Sequence, residues 1–169
     1  MEQDEHYRGA VVQFGPALQR LAKSYELDAD LRRDLLQDIH FALWRSFATF
    51  ARQCSLRSWV YRVAHNTAVS TKLRRRGRER VPVSLEDIVE PRAAHGAEEA
   101  VCTAQAVAKL ESLIRRLKAP DNQVMLLYLE DLDAESISDI TGLSPGAIAT
   151  RIHRIKALLA RHFGQGDRR

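Results

Sequence analysis

Cysteine is nearly missing from this chain, and the little there is cannot staple it. Cys54 and Cys102 stand alone, far apart and outside any Cys-x-x-Cys spacing. That excludes a disulfide framework and leaves two reduced, partly buried thiols as the expectation. The six histidines are scattered, and none pairs with a cysteine or carboxylate at metal-ligand spacing. His40 and His65 therefore belong to the surface or the edge of the core. Glycine-rich phosphate loops and nucleophile motifs are also lacking, so no catalytic residue, metal or cofactor is expected. Apolar runs stay far short of the roughly 20 residues a membrane span needs. Residues 1–8 carry three acids and no apolar run, unlike a signal peptide. These absences point to a cytoplasmic protein that works by binding.

What is present is helical. Hydrophobic residues make up 45% of the 169, enough for a packed core. Apolar positions recur at steps of three and four, while the period-two alternation of strands is missing, so the class is all-α. The pattern breaks between Val81 and Ala100, where Pro82, Pro91, Gly96, Ser84 and several acids interrupt it. Residues 81–100 read as an acidic linker, with one helical turn open at Ser84. Two small helical domains remain, 1–80 and 101–169.

The net charge of +4 hides an uneven distribution. Residues 1–40 hold five basic and eight acidic side chains; residues 52–80 hold nine and one; residues 81–108 hold one and five. A basic block flanked by acidic neighbours is the footprint of a polyanion-binding face, the bland alternative being a solvated charge run. Within it, residues 72–80 carry six cations in nine positions, more than a helix C-terminus would call for. Tyr61, Trp59 and His65 lie nearby, and cations beside aromatic rings suit phosphate contact with base stacking.

Three stretches define the elements. The first helix reads over 31–50, with Leu35, Leu36, Ile39, Leu43, Phe47 and Phe50 on one face. Its other face shows Asp34, Gln37, Asp38, Phe41, Trp44 and Arg45. Those rings either dock a partner or are covered by neighbouring helices. A second helix runs from Leu56 to about Arg76, its stripe Leu56, Trp59, Val60, Val63, Ala64 and Thr67. Arg57, Tyr61, Arg62, His65 and Lys72 are expected to face outward, with Asn66 at the edge.

After a helix marked by Leu110, Leu113, Ile114 and Leu117, and another over 122–130, comes the most informative stretch. Asp133 caps a short helix, 134–141, whose Ile137 and Ile140 point inward. Gly142 supplies a left-handed turn, Ser144 caps the next helix, and Pro145 takes its first position. Ile148, Ile152, Ile155 and Leu159 line the inner face; Ala149, Thr150, His153, Arg154 and Lys156 the outer one. This is a helix-turn-helix, unless it is a helical hairpin of an unrelated bundle.

Residues 34–44, Asp-Leu-Leu-Gln-Asp-Ile-His-Phe-Ala-Leu-Trp, resemble the D-L-V-Q-E-V-F-L-R-L-W signature of region 2 in extracytoplasmic-function sigma factors. Residues 56–66, Leu-Arg-Ser-Trp-Val-Tyr-Arg-Val-Ala-His-Asn, resemble that family's F-R-T-W-L-Y-R-I-A-R-N, followed as usual by arginines. Residues 130–154 are similar to its region 4. The resemblance implies that Asp34, Gln37, Asp38 and Phe41 bind the clamp helices of core RNA polymerase. It implies that the loop at 54–58, with Ser55, Arg57, Ser58, Arg62, Asn66, Lys72, Arg74, Arg75 and Arg76, holds the melted −10 element. Region 4 would sit on the polymerase flap and read the −35 element of promoter DNA through Ala149, Thr150, Arg151, His153 and Arg154. An anti-sigma factor is a further partner the family allows, and control is expected to come from outside the chain. The alternatives are a simple dimeric helix-turn-helix regulator, which needs no melting loop or arginine arm, and a sigma-like decoy, which needs no basic arm.

Overall fold

The structure, a computed structural model, describes residues 2–78 and 99–164, and over these it is built of seven α-helices. Helix α1, Glu2–Tyr25, buries Ala10, Phe14, Ala17, Leu18, Leu21, Ala22 and Tyr25, a stripe at helical spacing. Acids fill its first turn and Lys23 stands in its last, as the helix dipole favours. Pro16 lies inside this helix, on the exposed side, where the carbonyl left without its amide partner can turn to water.

Helix α2, Ala29–Ser46, is capped by Asp28, whose carboxylate accepts from the Asp30 and Leu31 amides at 3.0 and 2.9 Å. Such a cap stabilises a helix by about 1 kcal/mol. It ends in a 3-10 turn, Phe47–Thr49, so the single helix expected over 31–50 is split near its end. Helix α3, Leu56–Arg78, begins at Ser55, whose hydroxyl accepts the Ser58 amide at 3.0 Å.

Helices α4, Glu99–Arg116, α5, Asp121–Leu129, α6, Ala134–Thr141, and α7, Pro145–Gly164, complete the chain. The Asp133 carboxylate accepts the Ser136 amide at 2.8 Å to start α6. Gly142, at a φ of 75°, closes α6 in the left-handed conformation, and the Ser144 hydroxyl accepts the Ala147 amide at the head of α7. Ile148 and Ile155 are buried and Thr150, His153 and Arg154 exposed, so the helix-turn-helix geometry expected from the residues is present.

Packing does not stop at the expected linker. Helices α1, α2 and α3 pack on one another around Leu18, Leu21, Ile39, Leu43, Val60 and Ala64. The same apolar cluster continues through Val124, Leu127, Leu132, Ile137, Ile140 and Ile148 of the C-terminal helices. Burying such a side chain contributes about 1.5–3 kcal/mol. A second cluster, Leu113, Ile114, Leu117, Met125, Ile155 and Leu159, holds α4 to α5 and α7.

This packing corrects one expectation. Tyr61 and His65, assigned by helical phase to the outer face of α3, are buried. The α1 rings Phe14 and Tyr25 lie against them, and α6 packs on the same helix. The expected turn at Ser84, and the basic residues beyond 78, lie outside the described residues.

Candidate nucleic-acid interface

The solvent face of α2 gathers the residues expected there. Asp34, Gln37, Asp38 and Phe41 are exposed and line a groove of about 540 Å³ with Thr71, Arg74 and Arg75 of α3. Phe41 is 59% exposed, which settles the choice left open by the sequence: neighbouring helices do not cover it. It stacks on Trp44 with ring centroids 6.5 Å apart, and the Arg45 guanidinium lies 6.0 Å from its centre. The first turn of α1 steadies this patch. Trp44 Nε1 donates to Asp4 at 2.9 Å, and Gln3 donates to the Trp44 carbonyl at 2.7 Å.

The loop before α3 is more tightly built than its sequence suggested. Ser55 Oγ donates to Ser58 Oγ at 2.9 Å, and Ser58 is buried. Trp59 Nε1 donates to Ser46 Oγ at 3.0 Å, and its ring meets Phe50 at 5.1 Å, tying the start of α3 to the end of α2. Arg52, within this loop, holds a φ of 58°, an unusual conformation for a side-chain-bearing residue. Arg62 is half-buried, with its Nε meeting no hydrogen-bond partner among the described residues, and Asn66 is exposed.

The cations of α3 divide into two kinds. Lys72 donates to the Arg115 carbonyl at 3.2 Å and lies 5.7 Å from the centre of the Tyr25 ring. Arg75 pairs with Glu26 at 2.8 Å. Arg74 stands largely in solvent, with Asp38 at 3.9 Å. Lys72 and Arg75 thus contribute to the fold, whereas Arg74 is the side chain most open to a ligand among these three.

On α7, Ala149, Thr150, His153 and Arg154 form the exposed face opposite Ile148 and Ile155. Thr150 Oγ1 donates to the Gly146 carbonyl at 2.9 Å. Arg154 Nη2 donates to Asp121 Oδ2 at 2.5 Å, and Arg151 donates to Asp121 Oδ1. Lys156 donates to the Tyr128 hydroxyl at 2.6 Å.

A feature that sequence reasoning missed joins the two halves. Glu130, at the end of α5, accepts Arg20 Nε at 2.9 Å, Arg20 Nη2 at 2.8 Å and the Tyr61 hydroxyl at 2.9 Å. Arg57 donates to the Glu130 carbonyl and lies 5.8 Å from the centre of the Tyr61 ring. The Arg20 hydrogen bonds hold the Glu130 carboxyl below its ordinary range, against the opposing effect of burial. Burial, with the Glu130 charge beside it, pushes the Tyr61 phenol up to about 12. Deeper in, the Tyr25 hydroxyl meets His65 Nδ1 at 3.0 Å, and burial lowers that imidazole to about 3, leaving it neutral. Nothing local in the sequence marks Arg20 as the partner of a residue 110 positions away.

Two family models match the chain, Sigma-70 region 2 over residues 10–79 and Sigma-70, region 4 over residues 108–159. The chain is 28% identical over 140 residues to RNA polymerase sigma factor SigV of Bacillus subtilis, covering 83% of this chain and 80% of that protein. It is 25% identical over 149 residues to a probable RNA polymerase sigma factor of Haemophilus influenzae, covering 78% and 76%. Its fold is similar to that of CnrH, solved in complex with the cytosolic domain of CnrY, with a TM-score of 0.67 at 19% identity over 94% of this chain and 88% of that one. Among the described residues, no helix is long and apolar enough to cross a membrane.

Proposed function

The chain belongs to the extracytoplasmic-function group of the sigma-70 family and is a transcription initiation factor that directs RNA polymerase to promoters, and on that premise we propose which residues do each part of the work. Residues 1–80 form region 2, 81–100 a connector and 101–169 region 4. The exposed face of α2, Asp34, Gln37, Asp38 and Phe41, docks on the clamp helices of core polymerase. Arg74, beside it in the same groove, meets the DNA backbone, and Arg57, Arg62 and Asn66 follow the melted −10 strand. Flipping a base needs a rigid pocket that offsets unstacking. The hydrogen bonds that lock Ser55, Ser58 and Trp59 are consistent with such a frame, with Ser58 supporting the loop rather than touching DNA.

Region 4 places α7 in the major groove of the −35 element, with Thr150, His153 and Arg154 toward the bases and the small Ala149 permitting close approach. It sits on the polymerase flap. The sigma-70 family is not an enzyme class, and this chain acts by docking alone, in the cytoplasm where the chromosome lies. CnrH was solved with the cytosolic domain of CnrY, and for this chain an anti-sigma factor is the protein partner proposed besides polymerase.

The observation that carries this assignment is the groove in which the acidic and aromatic face of α2 lies against Arg74 and Arg75. A plain helix-turn-helix regulator has no use for it. Replacing Asp34 and Asp38 by Ala on an exposed face should alter folding by no more than about 0.5 kcal/mol. Truncating charged partners in a buried interface costs about 2–5 kcal/mol, so affinity for core polymerase should fall at least about thirtyfold. A double variant that keeps wild-type affinity in a polymerase titration would remove α2 as the docking face.

A further inference from the structure

Asp121 opens α5 with a side chain only 8% exposed, and two arginines of α7 converge on it. Its Oδ1 accepts from Arg151 and its Oδ2 from Arg154, the latter at 2.5 Å. The two arginines differ in what else they face. Arg151 is 31% exposed and sits toward the α5 side, whereas Arg154, three residues on, is 59% exposed and stands on the outer face with Thr150 and His153. The carboxylate that holds them is itself fixed. The next residue, Asn122, donates from its side chain to the Ile114 carbonyl at 2.7 Å, clamping the first turn of α5 to α4. A carboxylate in the first turn of a helix is also where the dipole favours it.

A guanidinium presents five N–H donors in a rigid fork. Among the described residues Arg154 uses one of them on Asp121, which leaves others for a further acceptor. An arginine that grips a guanine through O6 and N7 must give up its rotamer freedom to do so. Here that ordering is already in place in the free protein. The carboxylate also lowers the pull of Arg154 toward any nearby phosphate, which carries no sequence information.

We propose that Asp121 is a specificity-determining positioning residue: its buried carboxylate, braced by Arg151, aims the Arg154 guanidinium at the bases of the −35 element. This rests on the assignment of Arg154 to base contact, and the experiment separates the two claims. Holoenzyme reconstituted from core polymerase and the full chain is bound to promoters carrying each base at every −35 position. The chains compared are wild type, Asp121→Asn, Asp121→Glu, Arg154→Ala and the Asp121→Asn, Arg154→Ala double variant, with the melting temperature of each.

Arg154→Ala should lose about tenfold or more of the preference at one base pair. Asp121→Asn, which keeps shape and removes charge, should lose about fivefold or more at that same base pair and nowhere else. It should add nothing once Arg154 is Ala, because it acts through that side chain. Asp121→Glu keeps the charge but moves it by one methylene, and should change the preference at that position while folding normally. A uniform loss on all sequences with a lower melting temperature would make Asp121 a staple between α5 and α7 and overturn the proposal. Unchanged preference in both Asp121 variants, with Arg154→Ala still defective, would overturn it while sparing the base contact. If Arg154→Ala loses no preference, the base contact fails and the proposal with it.

Discussion

His65 shows how one residue's place in the core sets a property of the whole chain. Helical phase put it on the outer face of α3, but α1 covers that face, and burial lowers the imidazole from 6.5 to about 3. In the unfolded chain the same ring takes a proton near 6.5. A group protonated more readily when unfolded stabilises the fold above its unfolded pKa and loses that contribution as the pH drops toward its folded one. Stability should therefore fall between pH 6.5 and 5, with a limiting slope of about 1.4 kcal/mol per pH unit. His40, also lowered by burial, adds to the trend, while Glu130, held below its usual range, acts only at lower pH. Chemical denaturation across that window should show the slope in wild type and a flatter one in His65→Asn. Equal slopes would mean that His65 is not the titrating group.

At the scale of elements, what could be read in advance was what local chemistry decides. Helix α6, the Gly142 turn and the Ser144 and Pro145 start of α7 came out of capping residues and spacing, and they stand where those residues put them. Gly142 carries a specific consequence. At a φ of 75° a side chain is strained, so Gly142→Ala should destabilise the chain by about 1 kcal/mol in urea unfolding, with nothing nearby for the new methyl to meet. An unchanged midpoint would show that the turn relaxes freely. Helix α1 is hard to read from periodicity, since Gly9, Gly15 and Pro16 interrupt the run that its buried stripe otherwise makes. The exposed faces of α2 and α7 were legible because each stands opposite an apolar stripe. Asp121, Glu130 and Arg20 were not, because their partners come from helices far away in sequence and periodicity says nothing about which helices meet.

For the whole molecule, the shared core and the Glu130 cluster make a closed form in which Arg57, assigned to the −10 strand, is already engaged. Each base pair between two DNA elements adds ~3.4 Å of duplex. A packed chain of this length has a radius of gyration of only about 15 Å. On a promoter whose two elements lie further apart than the packed halves span, binding both would require α6 to leave α3. Twenty residues separate Arg78 from Glu99, a covalent tether of at most about 75 Å. Arg20 is 60% exposed, so its pair with Glu130 is screened and worth little more than about 1 kcal/mol. Glu130→Ala should loosen the closed form and tighten polymerase binding by about fivefold or less in titration. Weaker binding would instead place Glu130 in the polymerase interface.

The central claim is that this chain confers promoter choice on a polymerase that has none. Run-off transcription with core RNA polymerase and a pool of random upstream sequences measures that directly. With the protein present, transcripts should arise from templates that share two short motifs at a fixed spacing, and without it they should not. Starts spread over the pool with no shared motif, at the same level with and without the protein, would contradict the account.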